Sequence, residues 1–128
     1  NGVDLTVYNR SLEPVERLVE EGASASTSFR TCAAGADLVF SMLSTPQVIH
    51  EVALREDGFL WGMKQDALWV DCSTVDPSFS RRCSRDAESA GVRFVDAPVA
   101  GSAHQAEDGV LTFLWAEKKA IWRRLDFI

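Results

Sequence analysis

The chain has 128 residues and a mass of 14.1 kDa, and 46% of its residues are hydrophobic while 25% are charged. This composition is typical of one globular domain and argues against a disordered chain. The net charge of −6 argues against broad binding to nucleic acid or to an anionic membrane surface. Because no apolar run reaches the roughly 18 residues of a membrane helix, we expect no membrane span, and we recognise no secretory leader.

Short β-type runs alternate with helical periods along the chain. The predicted strands, in chain order, lie at residues 5–8, 38–43, 67–70, 92–95 and 111–114. The predicted helices carry apolar residues at helical spacing within residues 15–19, 48–53, 79–90 and 121–125. This alternation predicts an α/β fold with a mainly parallel sheet and right-handed crossovers.

Local signals mark where several of these helices begin and end. Thr45-Pro46 and Asp76-Pro77 each combine an N-cap residue with proline at the first helical position. Gly22 and Gly91 follow helical segments and are typical of C-terminal ends. The nearly continuous apolar run at residues 38–43 predicts a strand that is buried on both faces.

The cysteines and histidines give little sign of a metal or disulfide site. Cys32, Cys72 and Cys83 are odd in number, and no two of them have the spacing of a zinc or redox motif. We therefore expect reduced thiols and a reducing compartment, the cytoplasm. His50 and His104 lie far apart in the sequence, and we predict no metal site.

In open α/β sheets, ligands bind beyond the carboxyl ends of the strands, so the residues that follow each strand are the candidates. After the first strand, Asn9 stands where an NAD-preferring fold has an acidic residue, and Arg10 follows it. A guanidinium group suits the 2′-phosphate of NADP because it is permanently charged and can donate two parallel hydrogen bonds. The alternative is an exposed arginine in a turn.

Three further stretches follow predicted strands. They contain Met42, Leu43 and Ser44, then Ser73 and Thr74, then Gly101 and Ser102. The first leads into a helix N-terminus, which favours an anion. The hydroxyls of the second can hold a substrate carboxylate or the nicotinamide, and the glycine of the third lets backbone amides approach an anion. The alternatives are an ordinary connection, hydroxyls that only satisfy nearby backbone groups, and a wide turn.

These four stretches together resemble the β-hydroxyacid dehydrogenase family, which includes 3-hydroxyisobutyrate dehydrogenase and the glyoxylate/succinic semialdehyde reductases. The resemblance rests on TVYNRS (residues 6–11), GADLVFSMLSTP (35–46), VDCSTVDP (70–77) and RFVDAPVAGS (93–102). The segment AEDGVLTFL (106–114) is most similar to the semialdehyde reductase branch. The resemblance implies a single, partial dinucleotide-binding domain over residues 1–128, with an incomplete Rossmann-type, doubly wound sheet and helices on both faces.

The resemblance also implies a role for each candidate residue. The cofactor would be NADP, with NAD bound more weakly, and the substrate would be a small molecule that bears a carboxylate. Asn9 and Arg10 would contact the adenosine 2′-phosphate, and Met42, Leu43 and Ser44 would line the path of the diphosphate and ribose. Thr74 would lie near the nicotinamide, and the substrate would be bound by Ser73, Gly101 and Ser102.

The sequence departs from the family pattern at several points. The family begins with a strand and a G-x-G-x-x-G-type turn, whereas Gly2, Gly22 and Gly35 are isolated here. The family's general-acid lysine lies in a helical second domain, and neither Lys118 nor Lys119 matches its motif. Without the family's first strand, which lies in the middle of the sheet, we expect a gap in the sheet. The alternatives are a partial sequence, a partner strand that fills the gap, or a rearranged sheet. We also expect a homo-oligomer or partner that covers the exposed sheet edges and the apolar C-terminus.

Three functions remain open at this point. The first is the NADP-binding part of an oxidoreductase that transfers a hydride between NADP(H) and a small hydroxy acid or semialdehyde. For this function we assign no catalytic residue, and we expect the chain on its own to be catalytically incomplete, so that its status as an enzyme is open. The second is a non-catalytic module for nucleotide binding or assembly. The third is an unrelated α/β domain with chance motifs.

Overall fold

Parallel strands separated by helices form the framework of the protein in the computed structural model, which describes residues 2–114. The strands are β1 (Thr6–Val7), β2 (Ser24–Ala25), β3 (Leu38–Ser41), β4 (Leu68–Asp71), β5 (Arg93–Asp96), β6 (Val99–Ala100) and β7 (Thr112–Phe113). The α-helices are α1 (Leu12–Glu20), α2 (Phe29–Ala33), α3 (Pro46–Ile49), α4 (Pro77–Ser89) and α5 (Ala103–Glu107). A π-helical segment (His50–Leu54) continues α3, and a 3₁₀-helix (Phe59–Gly62) follows it. The predicted α/β class is confirmed.

The described strands form three separate sheets. β1 pairs with β2 in parallel, and β3, β4 and β5 form a parallel sheet in that order. β6 and β7 form an antiparallel ribbon. The parallel strands are thus divided between two sheets, as expected for an interrupted Rossmann-type fold.

Strand β4 lies at the centre of its sheet and all four of its residues are buried. The ring of Trp69, which is fully buried, makes edge contacts with Phe59 (5.3 Å between centroids) and Phe94 (4.8 Å). Cys83 and Ala87 of α4 pack into the same cluster. The aromatic rings and α4 therefore form the main core on one face of the sheet.

The opposite face of the sheet carries a second, smaller core. Leu68 and Val70 of β4 lie there beside Val95 of β5. Val99 of β6 and Phe113 of β7 pack against this cluster. The antiparallel ribbon therefore contributes to the cover of this face within the described residues.

The prediction that residues 38–43 form a strand buried on both faces is wrong in its second part. Phe40 is 51% exposed, and Leu38 and Val39 are only partly buried. The reason is the position of β3 at the edge of its sheet, where β4 is its one neighbour among the described strands. An apolar run predicts a strand, but it does not show whether that strand lies at the centre or at the edge of its sheet.

The predicted helix ends agree with the structure. The Thr45 hydroxyl accepts a hydrogen bond from the Val48 amide (3.2 Å), and the Asp76 carboxylate accepts from the amides of Ser78 (2.9 Å) and Phe79 (3.1 Å). The hydrogen bond from the Ser78 hydroxyl, followed by that from the Phe79 amide, lowers the pKa of Asp76. Gly91 has a positive φ of 71°, which glycine adopts without strain at a helix end.

Other elements lie beyond what the sequence pattern predicted. The strands β2 and β6 and the helices α2 and α5 were not predicted, because they are short and their segments carry no apolar run or helical spacing that marks them. The predicted last helix, with Ile121 and Leu125, lies outside the described residues. Within residues 2–114, no helix is both long enough and apolar enough to cross a membrane.

The two described tryptophans provide a matched test of the core. Trp69→Leu should lower the free energy of unfolding by about 3 kcal/mol, because it deletes ring contacts at a fully buried site. Trp61, which is 44% exposed, donates one hydrogen bond to the Leu54 carbonyl, and Trp61→Leu should cost about 1 kcal/mol. Urea unfolding followed by far-UV circular dichroism measures both, and equal losses would contradict this account of the core.

Candidate functional site

The carboxyl ends of β3, β4 and β5 are level with one another. The register pairs Ser41 with Asp71, and Asp71 with Asp96, at the last residue of each strand. The loops that follow these strands therefore begin at one edge of the sheet, here called the carboxyl edge. This is the edge at which open α/β sheets bind ligands.

The loop after β1 contains Asn9 and Arg10, and both side chains are exposed. The Asn9 amide group donates a hydrogen bond to the Ser11 carbonyl (3.1 Å), which fixes the turn into α1. Both residues lie in the loop between β1 and α1, and β1 belongs to the two-stranded sheet and not to the sheet of β3, β4 and β5. Their approach to the other candidate residues stays a prediction.

The loop after β3 contains Met42, Leu43 and Ser44. Met42 is 63% exposed and Ser44 is also exposed, whereas Leu43 is partly buried. The Leu43 amide donates a hydrogen bond to the Ser73 hydroxyl (2.9 Å). This bond joins the loops after β3 and β4, so the structure brings these two groups of candidate residues together.

The loop after β4 contains two hydroxyl residues in different environments. Thr74 is exposed at the carboxyl edge, whereas Ser73 is only 2% exposed. The Ser73 hydroxyl donates to Asp71 Oδ1 (2.6 Å) and accepts from the Leu43 amide. The hydroxyl is thus directed into the protein, and its predicted contact with substrate stays a prediction.

Sequence analysis assigned no role to Asp71 or Ser41, yet both are buried at this edge. Asp71 Oδ1 accepts hydrogen bonds from the hydroxyls of Ser41 (2.8 Å) and Ser73, and from the Ser73 amide (3.3 Å). The Trp69 indole in turn donates to the Ser41 hydroxyl (2.8 Å). The signal in the sequence is a polar residue at the end of a buried strand, which a buried strand tolerates only where partners are available.

The loop after β5 passes through β6 to Gly101 and Ser102. Gly101 has a φ of 148°, and a Cβ atom there would lie 2.7 Å from Leu111 Cδ2, so only glycine fits without a shift. Ser102 caps α5, because its hydroxyl accepts from the Gln105 amide (3.3 Å) while its own amide donates to Gln105 Oε1 (2.8 Å). The Ser102 hydroxyl proton remains able to donate to a ligand.

A cleft of about 650 Å³ lies elsewhere and is lined by Arg30, Arg55, Glu56 and Asp57. Arg55 pairs with Asp57 (3.4 Å), and Arg30 donates to the Glu56 carbonyl (3.0 Å). The helical segment that starts with Pro46 begins at the carboxyl edge and ends next to Arg55, so this cleft lies away from that edge. Among residues 2–114, no group of three His, Cys, Asp or Glu side chains could hold a metal ion.

The arrangement of these loops is that of a known class of protein. A parallel α/β sheet, polar loops at its carboxyl edge and an arginine after β1 together are typical of a dinucleotide-binding domain. The donor set fits such a ligand. Arg10 provides an exposed cation, and Ser44 and Thr74 provide exposed hydroxyls.

Comparison with known proteins leads to the same class. The family model described as the NAD binding domain of 6-phosphogluconate dehydrogenase matches residues 1–128. Glyoxylate/succinic semialdehyde reductase 2 (chloroplastic) of Arabidopsis thaliana is 37% identical over 96% of this chain and 34% of its own length. The NAD-dependent L-serine dehydrogenase of Pseudomonas aeruginosa is 37% identical over 88% of this chain and 38% of its own.

A solved structure supports the same conclusion. That of 3-hydroxyisobutyrate dehydrogenase from Mycobacterium tuberculosis superposes with a TM-score of 0.83 at 25% identity, over 92% of this chain and 40% of that chain. The chain therefore belongs to the NAD-binding-domain family of 6-phosphogluconate dehydrogenase and the β-hydroxyacid dehydrogenases, as its four motifs predicted. It spans about a third of the length of the curated relatives that it matches.

The three cysteines give a test of the packing around the sheet. Burial, followed by the charge of Asp71, raises the pKa of Cys72 to about 11, and burial together with Asp71 and Asp86 raises that of Cys83 to about 12. Both thiols therefore stay protonated at about pH 8 and should react slowly with a thiol reagent. Burial also raises the pKa of Cys32, which is partly exposed.

We expect at most one thiol, that of Cys32, to be labelled rapidly in the native protein, and all three to be labelled in urea. The measurement is thiol titration at about pH 8, with mass mapping of the labelled peptides. Rapid native labelling of Cys83 would show that α4 does not pack on β4 as described.

Proposed function

We propose that the protein binds NADP(H) between the loop after β1 and the carboxyl edge, and prefers it to NAD(H). The observation that carries the proposal is the loop after β1, where Asn9 stands at the acidic position and the exposed Arg10 follows it. A carboxylate at this position would accept hydrogen bonds from the ribose hydroxyl of NAD and repel a 2′-phosphate. An amide with a neighbouring guanidinium favours the phosphate instead.

The remaining candidate residues for the cofactor contact successive parts of the dinucleotide. Met42, Leu43 and Ser44 line the path of the diphosphate and ribose, and Thr74 lies near the nicotinamide. Support comes from the hydrogen bond between the Leu43 amide and the Ser73 hydroxyl, which holds the two loops side by side. The exposed hydroxyls of Ser44 and Thr74 can then face a common ligand.

The proposed substrate is a small molecule with a carboxylate, such as a semialdehyde, a 2-oxo acid or the corresponding hydroxy acid. Gly101 and Ser102 hold the carboxylate, since the left-handed glycine opens the backbone and the Ser102 hydroxyl keeps a proton to donate. When bound, the nicotinamide supplies or accepts the hydride that is exchanged with the carbonyl carbon. The carbonyl oxygen also needs a proton, and for this step we assign no residue of the chain.

The proposal extends to partners and compartment. A further strand, from a partner or from a second copy in a homo-oligomer, fills the gap between the sheet of β1 and the sheet of β3, near which Leu5 is 49% and Phe40 51% exposed. The compartment is reducing, as the cytoplasm is, because Cys32, Cys72 and Cys83 are all free thiols.

The choice of cofactor depends on Arg10. Arg10→Asp should weaken NADP⁺ binding by about tenfold or more and change NAD⁺ binding by less than about threefold. Arg17→Asp is the matched control, since it makes the same charge change on α1 at a side chain that is 70% exposed. Titration of both dinucleotides against tryptophan fluorescence measures the ratio, and an equal loss in the two variants would make Arg10 an ordinary surface residue.

The 128-residue chain by itself should bind NADPH without consuming it in the presence of glyoxylate or succinic semialdehyde. The reason is that no residue of the sequence matches the general-acid lysine of the family. NADPH absorbance measures turnover, with the Arg10→Asp variant as the blank. Sustained oxidation above that blank would show that the chain holds its own proton donor. Failure to bind either dinucleotide would favour a non-catalytic assembly module.

A further inference from the structure

We propose that Asp71 is a positioning residue, which fixes the loops after β3 and β4 relative to each other through Ser41 and Ser73. Its effect on ligand binding rests on the proposed function, whereas its effect on the two loops does not. Asp71 is only 1% exposed, so the proposal does not include a direct contact between its carboxylate and the dinucleotide.

The first step of the argument is the burial of the carboxylate. A charged group that is removed from water is costly unless hydrogen bonds replace those of the solvent. Three donors converge on Asp71 Oδ1, namely the hydroxyls of Ser41 (2.8 Å) and Ser73 (2.6 Å) and the Ser73 amide (3.3 Å). The Ser41 and Ser73 side chains are therefore both held at one oxygen atom.

The second step is the direction of each hydrogen bond. A serine hydroxyl has a single proton, and both serines give theirs to the carboxylate, which has none to return. Each hydroxyl oxygen can then only accept from its other neighbour. Ser41 accepts from the Trp69 indole (2.8 Å), and Ser73 accepts from the Leu43 amide (2.9 Å). The carboxylate thus determines which groups the two serines bind.

The third step is the consequence for the carboxyl edge. Leu43 lies in the loop after β3, and Ser73 lies 30 residues later in the loop after β4. Their hydrogen bond fixes the spacing of the two loops, and the exposed hydroxyls of Ser44 and Thr74 come next to them in the chain. In this arrangement the Ser73 hydroxyl is the link between the two loops.

A partly buried serine–aspartate pair at the end of β5, outside the loops after β3 and β4, supplies the control. Ser80 on α4 is 7% exposed and donates to Asp96 at the end of β5. It has the same chemistry as the Ser73–Asp71 pair, but it joins a helix to a strand. If Ser73 has a purely structural role, Ser80→Ala and Ser73→Ala should have similar effects on dinucleotide binding and on the loops. If it positions the loops, only Ser73→Ala should have these effects.

The experiment compares Ser73→Ala, Asp71→Ala, Asp71→Asn and Ser80→Ala with the unsubstituted protein. NADP⁺ titration measures affinity, and hydrogen exchange by NMR reports on the Leu43 amide. We expect Ser73→Ala and Asp71→Ala to weaken NADP⁺ binding about tenfold and to accelerate exchange of the Leu43 amide, with Ser80→Ala within about twofold on both measures. Asp71→Asn keeps one acceptor oxygen and should recover binding to within about threefold.

Equal effects of Ser80→Ala and Ser73→Ala, or a Leu43 amide that exchanges at the original rate in Ser73→Ala, would overturn the proposal. If Asp71→Ala does not fold, Ser73→Ala decides the matter, since it keeps the carboxylate and deletes only the link. If the unsubstituted protein binds no dinucleotide, the proposed function fails. The Leu43 exchange rates then still decide whether Asp71 positions the loops.

Discussion

The burial of one carboxylate, that of Asp71, is the constraint on which the carboxyl edge depends. In a parallel sheet, alternate residues of a strand point to the same face, so Trp69 and Asp71 share one face of β4. The register then places Ser41 of β3 beside Asp71. The donors that a buried carboxylate needs are thus supplied by strand pairing and by the residue two positions further along the chain, Ser73.

The same face of the sheet joins the apolar core to this polar edge. Trp69 is held between the rings of Phe59 and Phe94, and its indole group points to the Ser41 hydroxyl. Because the rings fix the indole, they also fix one end of the chain of hydrogen bonds that ends at the Leu43 amide. Packing in the interior therefore sets the position of a loop at the surface.

The sequence predicted the features that depend on neighbours in the chain. The caps at Thr45 and Asp76 were correct because each involves residues two or three positions apart. The exposure of Phe40 was missed, since it depends on which strand lies beside β3 and not on the apolar run itself. The bond between Leu43 and Ser73 was missed for the same reason, because it joins residues 30 positions apart.

The aspartates at the carboxyl edge all have hydrogen-bond donors within the protein. A protein with a net charge of −6 would repel an anionic dinucleotide if its carboxylates faced that ligand. Each aspartate of this edge instead has donors within the protein, with Ser41 and Ser73 for Asp71, the amides at the start of α4 for Asp76, and Ser80 for Asp96. The three serines therefore satisfy the carboxylates of Asp71 and Asp96 within the protein. On the loop after β1, the exposed cation of Arg10 is the group proposed to bind the 2′-phosphate.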